Sequence, residues 1–121
     1  MSKTTLIIGA SHKPDRYANK AQRALVNAGH RVIPFNPRGG EIDGLEVVSD
    51  LSDITEKIDT VTLYVRPSVL EPMLPTLIGL KPRRVIFNPG TEDSGLEQKF
   101  EDAKVDIVEA CTLGMLHTDQ Y

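Results

Sequence analysis

The sequence predicts an α/β fold in which a five-stranded parallel sheet lies between layers of helix. Three observations carry this. Apolar, β-branched runs recur along the chain, alternating with segments of helical spacing. The first run, Leu6-Ile7-Ile8, is apolar throughout, as a strand covered on both faces requires. It passes straight into the small-residue turn Gly9-Ala10-Ser11, and amphipathic spacing begins near Tyr17. A strand, a tight turn and a helix in that order open a nucleotide-binding βαβ unit.

Strand one is expected over residues 5–9. Helix one follows, with Tyr17, Ala21, Ala24, Leu25 and Ala28 as its stripe and Gly29 as the left-handed residue that ends it. Strand two is expected over 30–35, ending at Asn36-Pro37-Arg38, and Arg38-Gly39-Gly40 signals a turn. Residues 41–48 read as an irregular loop around Gly44 with room for a short edge strand, and 51–54 as a single turn. Strand three spans 59–65 and is stopped by Arg66-Pro67. Ser68 and Glu71 have capping-box spacing ahead of a stripe at Leu70, Leu74, Leu77 and Ile78, while Pro72 and Pro75 require that helix to start late or kink. Strand four, 84–87, runs into Asn88-Pro89-Gly90. Ser94 and Glu97 repeat the capping-box spacing before a helix that buries Leu96, Phe100 and Ala103. Strand five is expected over 105–108. Leu113, Met115 and Leu116 give the tail, 109–121, apolar anchors, so it is expected to fold back over the carboxyl ends of the strands.

The 121 residues suffice for one domain, taken as 1–121, and a chain of this length buries roughly two-thirds of its unfolded surface. With 40% hydrophobic and 26% charged residues the composition is that of a soluble globular protein. A net charge of −3 argues against nucleic acid or an anionic membrane as partner. No apolar run approaches the ~18 residues of a membrane span, and no signal peptide is evident before strand one. One cysteine, Cys111, excludes an internal disulfide and makes a cytoplasmic setting the expectation.

In parallel α/β sheets the ligand lies beyond the carboxyl ends of the strands. Here those ends carry Gly9-Ala10-Ser11, Asn36-Pro37-Arg38, Val65-Arg66-Pro67 and Asn88-Pro89-Gly90, four loops on one rim. A NAD-binding domain places an acid at the tip of strand two to bond the ribose; this chain places Arg38 there, which suits a ribose phosphate better. Each signal also has a plainer reading. The glycine turn lacks the further glycines of the dinucleotide fingerprint and serves equally as a ligand-free turn. Arg38 serves as a solvated loop residue, Arg66 as a salt-bridge partner. His12 is expected to be an exposed loop histidine and His30 structural. Cys111 has no evident base and is expected to be buried and inert, and Cys111 with His117 and Glu109 is too sparse a set for a metal.

Taken in order, Gly9-Ala10-Ser11 with Lys13-Pro14, Val32-Ile33-Pro34-Phe35-Asn36-Pro37-Arg38, Glu41-Ile42-Asp43-Gly44, Asp53-Ile54 and Val65-Arg66-Pro67 resemble the small stand-alone CoA-binding proteins related to the N-terminal domain of the succinyl-CoA synthetase α subunit. The resemblance covers nearly the whole chain. It implies a Rossmann-like three-layer sandwich with strand order 3-2-1-4-5. It also implies phosphates received at Gly9, Ala10 and Ser11 beside Lys13, the adenosine end of the ligand at Pro37 and Arg38, and the rest of the groove at Val65, Arg66, Pro67, Asn88 and Gly90. The synthetase's phosphohistidine and second domain lie outside the resembling part. The implied function is therefore binding of coenzyme A or acyl-CoA without catalysis of its own. The alternative is a small NADP-dependent enzyme or a nucleotide-binding partner subunit. Either is compatible with a protein partner or a homodimer.

Overall fold

The computed structural model describes residues 2–121. Its main sheet contains β1 (Thr5–Ile8), β2 (Val32–Phe35), β5 (Thr60–Leu63), β6 (Arg84–Phe87) and β7 (Asp106–Glu109), every pairing parallel. β3 (Glu41–Ile42) and β4 (Leu45–Glu46) form a separate antiparallel hairpin. Helix α1 is Tyr17–Asn27, α2 Pro67–Leu70, α3 Leu74–Gly79, α4 Ser94–Asp102 and α5 Thr112–His117.

The α/β class and the five parallel strands are as expected, but the order is β2-β1-β5-β6-β7. Counting the five expected strands, this is 2-1-3-4-5, not 3-2-1-4-5. The third strand lies beside β1, and the outer edge of β2 is covered instead by its own downstream loop. Val48 bridges Phe35 in parallel, its N–H donating to Pro34 O at 2.9 Å while Asn36 N–H donates to Val48 O at 3.0 Å. With that edge occupied, the chain crosses β1 and adds β5 on the other side, so winding reverses between β1 and β5. Ligands of open α/β sheets bind at such a reversal.

The sheet's two faces differ in chemistry. On one face Leu6, Ile8, Ile33, Phe35, Val61, Leu63, Val85 and Phe87 meet Leu51, Leu70, Leu74, Leu77, Leu96 and Phe100 in an apolar core. Each fully buried Leu or Phe there contributes ~1.5–3 kcal/mol. On the other, Ile7 and Val32 pack on Ala18 and Leu25 of α1, but the register sets Thr5, Thr60 and Arg84 side by side and all three are buried. Arg84 Nε donates to Thr60 Oγ1 at 2.8 Å, and its guanidinium lies 4.5 Å from the centroid of the Tyr121 ring. Hydrogen bonds and a cation–π contact do there what aliphatic packing does opposite.

Local signals are read with small shifts. α1 ends as expected at Gly29 (φ 87°), in a Schellman pair of Gly29 N–H to Val26 O and His30 N–H to Leu25 O. Tyr17, counted in the buried stripe, is 64% exposed. Ser68 does not cap: Arg66 is the N-cap, Pro67 opens α2, and a 3₁₀ turn at Glu71–Met73 breaks the helix around Pro72 before α3. For α4 the cap is Asp93, not Ser94. Its carboxylate accepts from Leu96 N–H at 3.0 Å, and Glu97 reaches back to Asp93 N–H at 3.1 Å, so the reciprocal pair exists one residue earlier.

The tail also departs from expectation. It leaves the carboxyl rim at Thr112, whose N–H donates to Asn88 Oδ1, and α5 then packs against α1. Tyr121 reaches the opposite rim, where its hydroxyl bonds Thr5 and its ring meets His30 edge-on at 4.9 Å. A polar floor under the tail explains this path better than apolar anchoring does. His30 Nδ1 accepts from Lys3 N–H at 2.9 Å, which requires an unprotonated Nδ1. Burial first, and then Lys3, hold the His30 pKa below its ordinary 6.5. Protonation is thus easier in the unfolded chain, and the stability His30 provides is full above pH 6.5 and lost as pH falls below it. Thermal melts from pH 7.5 to 5.5 should show a falling Tm. His30→Asn, which keeps an acceptor for Lys3, should flatten that slope.

Candidate functional site

The turn after β1 is dictated by close approach. Gly9 has φ 91°, and a Cβ placed there would lie 2.8 Å from Val65 Cγ1 and 3.0 Å from Tyr64 O, at the end of β5. The turn is cross-braced from both sides. Asn36 Nδ2 donates to Ala10 O at 2.9 Å, and the buried Asn19 Nδ2 donates to Ser11 O at 2.9 Å and to Asp43 of the hairpin at 3.2 Å. Gln22 Nε2 holds the hairpin to α1 through Ile42 O at 2.9 Å.

Two cavities open on this rim. The first, about 500 Å³, is walled by the turn from Gly9 to Lys13, the start of α1 at Arg16, Tyr17 and Ala18, the segment Asn36 and Arg38 to Ile42, and Tyr64. The second, about 390 Å³, is walled by Tyr17, Tyr64, Val65, Arg66, Asn88, Pro89, Gly90, Thr91 and Cys111. Tyr17 and Tyr64 belong to both walls, so the cavities are halves of one groove.

Of the sequence-predicted residues, Gly9, Ala10, Ser11, Lys13 and Arg38 line the first half, and Val65, Arg66, Asn88 and Gly90 the second. Pro37 shapes the loop between two lining residues without lining it. Pro67 opens α2 and faces a different, smaller cavity with Ser68 and Glu71. The expected phosphate donors are revised. Gly9 and Ala10 N–H both donate to Phe35 O, at 3.2 and 3.0 Å. Among the described residues, the rim donors without a protein acceptor include the N–H groups of Ser11 and His12 and, at the uncapped start of α1, of Tyr17 and Ala18. Asn88 is likewise committed. Its Nδ2 donates to Thr62 Oγ1 at 2.7 Å and Leu63 O at 2.8 Å, and its Oδ1 accepts from Thr112 N–H at 2.9 Å. It builds the groove wall instead of offering a free side chain to the groove.

Sequence reasoning missed Arg16, Tyr17, Tyr64 and Glu41 as lining residues and set Cys111 apart as buried. Cys111 is half-exposed and forms part of the second wall. Arg16, three positions past Lys13, carried the available signal: a second cation just before a helix start. Arg66 makes no salt bridge; among the described residues the ion pairs are Arg31–Glu56 and Arg83–Asp59, both away from the groove.

The electrostatics follow. A chain of net charge −3 sets Lys13, Arg16, Arg38 and Arg66 along one groove against a single carboxylate, Glu41. None of these four cations has an acidic partner within 4.0 Å among the described residues. Unpaired cations beside free helix-start N–H groups form a field for a phosphorylated ligand. Burial pushes the Tyr64 hydroxyl up to about 12, with Thr112 and Thr62 pulling it partly back, so at neutral pH it is a neutral donor and not a base.

A family model described as CoA binding domain matches residues 3–117. The uncharacterized protein YneT of Bacillus subtilis (strain 168) is 37% identical over 79 residues, 62% of this chain and 58% of that protein, so the match spans little more than half of the relative. The crystal structure of an uncharacterized protein superposes with a TM-score of 0.95 at 39% identity, covering 100% of this chain and 99% of that one. A Thermus thermophilus protein described as cell-free ID.343 gives a TM-score of 0.89 at 33% identity over 99% and 91% of the two chains. A dinucleotide forming acetyl-coenzyme A synthetase from Ca. Korarchaeum cryptofilum, at 19% identity and a TM-score of 0.74 over 89% of this chain and 25% of that one, shares the fold. With its sheet, its rim groove and a family match over nearly its full length, this chain belongs to the CoA binding domain family.

Proposed function

We propose that this chain is a cytoplasmic module that binds coenzyme A or acyl-CoA along the rim groove and carries out no chemistry of its own. The observation that carries this is the charge pattern: three cations and free N–H donors around the first half of the groove, and a less charged second half reached past two tyrosines. The 3′-phosphate of the adenosine end lies at Arg38. The diphosphate sits over Ser11 and the start of α1 between Lys13 and Arg16, and the arm runs on past Val65, Arg66 and Gly90. Family membership supports the ligand class.

Thermal shift tests it. Ligand at a hundred times its dissociation constant stabilises the fold by roughly 2.7 kcal/mol, a rise of several degrees for a domain of this size. CoA should produce that rise and dephospho-CoA a smaller one. Arg38→Glu should erase the difference, because the forked contact to the 3′-phosphate, worth ~1.5–3 kcal/mol, is gone. Arg38 also suits the 2′-phosphate of NADP. A rise with NADPH and none with millimolar CoA would establish the alternative instead.

A further inference from the structure

We infer that Tyr17 is a specificity-determining residue: with Tyr64 it forms an aromatic neck that favours ligands bearing an arm beyond the nucleotide diphosphate. This rests on the groove's being the CoA site. Tyr17 and Tyr64 are the two residues shared by both cavity walls, so whatever occupies both halves passes beside both residues. The two sides of the neck are built differently. Tyr64 N–H donates to Ile8 O at 2.9 Å, and its ring packs with the cluster under α1, so that side is part of the fold. Tyr17 is 64% exposed, the most exposed large apolar side chain among the described residues, and its recorded ring contact is Lys20 Nζ at 5.1 Å from the centroid.

A single exposed aromatic needs no explanation in general. This one opens α1, beside the unpaired N–H groups that face a diphosphate and at the entrance to the second cavity. The pantetheine arm of CoA is a chain of methylenes and two amides leaving the diphosphate. Such a chain crossing the neck would cover the Tyr17 ring, an amphipathic surface suited to both components. A nucleotide that ends at its phosphates occupies the first half alone and gains nothing from the ring. Tyr17 thus separates CoA and its thioesters from bare adenine nucleotides of equal charge.

Isothermal titration with two probes, CoA and adenosine 3′,5′-bisphosphate, tests this on the full chain. Tyr17→Ala should weaken CoA roughly three- to tenfold, the range of one aromatic contact, and leave the bisphosphate within about twofold. Tyr17→Phe should restore CoA binding. Because the ring is largely solvated, both variants should melt close to the parent, as surface substitutions do. If Tyr17→Ala leaves the ratio of the two affinities unchanged, whether both fall or neither does, the aromatic neck is refuted while CoA binding stands. If the unsubstituted chain binds neither probe, the groove is not a CoA site and the neck is refuted with it.

Discussion

Gly9→Ala should lower the melting temperature by roughly 10 °C or more. Two costs add. An L-residue at φ 91° carries ~1–2 kcal/mol of backbone strain. Its Cβ would meet Val65 Cγ1 at 2.8 Å and the Tyr64 carbonyl at 3.0 Å. Overpacking of this kind costs ~1–3 kcal/mol, and half of it falls on backbone, which yields less readily than a side-chain end. Gly90→Ala is the control. Gly90 has φ 93°, but nothing lies within 4 Å of its added Cβ, so strain alone applies. Urea titrations of the two variants should differ by the packing cost. Equal losses would mean that β5 gives way freely and that the β1 turn is not shaped by contact. Relaxation of Tyr64 and Val65 would also narrow the groove, so Gly9→Ala should weaken CoA binding beyond its effect on stability.

Asn88→Ala should cost about 2–4 kcal/mol, as burial without partners does. Asn88, directly after β6, is 3% exposed, and its one amide joins two elements: β5 through Thr62 and Leu63 O, and α5 through Thr112 N–H. Alanine leaves the buried Thr112 N–H without its acceptor, and Thr62 Oγ1 keeps only Thr112 Oγ1, at 2.8 Å. Asn88→Asp keeps an acceptor for Thr112 but sets a carboxylate oxygen against the Leu63 carbonyl, so it too should destabilise. Hydrogen exchange should show α5 (Thr112–His117) opening before the central strands in both variants. A loss below ~0.5 kcal/mol with α5 exchange unchanged would show that solvent replaces the amide at no cost and that Asn88 does not tie α5 to the second cavity wall.

The rim that carries the candidate groove was largely legible in the sequence, because parallel strands all deliver their carboxyl ends to one side and each end here is marked by glycine, proline or asparagine. Which atoms at that rim are free was not legible. Gly9 and Ala10 look like phosphate donors until Phe35 O, some 25 residues on, accepts both N–H groups. Asn88 looks like a ligand contact until Thr62 and Thr112 claim it. Tyr17 fits a helical stripe by spacing, yet it starts the helix, where no preceding turn covers it.

The sequence by itself determined the strands, the breaks and the class. β-branched runs, proline at Pro67 and Pro72, and the glycine after α1 act through sterics within a few residues, and those constraints hold wherever the segment is placed. The tertiary structure alone decided the strand order: Val48 occupies the outer edge of β2, and β5 pairs with β1 on the other side. It also decided the cation field, which gathers Lys13, Arg16, Arg38 and Arg66 from three loops. It set Arg84 beneath Tyr121, 37 positions later, as the polar floor under the tail. Each of these is a contact between residues distant in the chain, and its energy is felt only when the sheet brings them together.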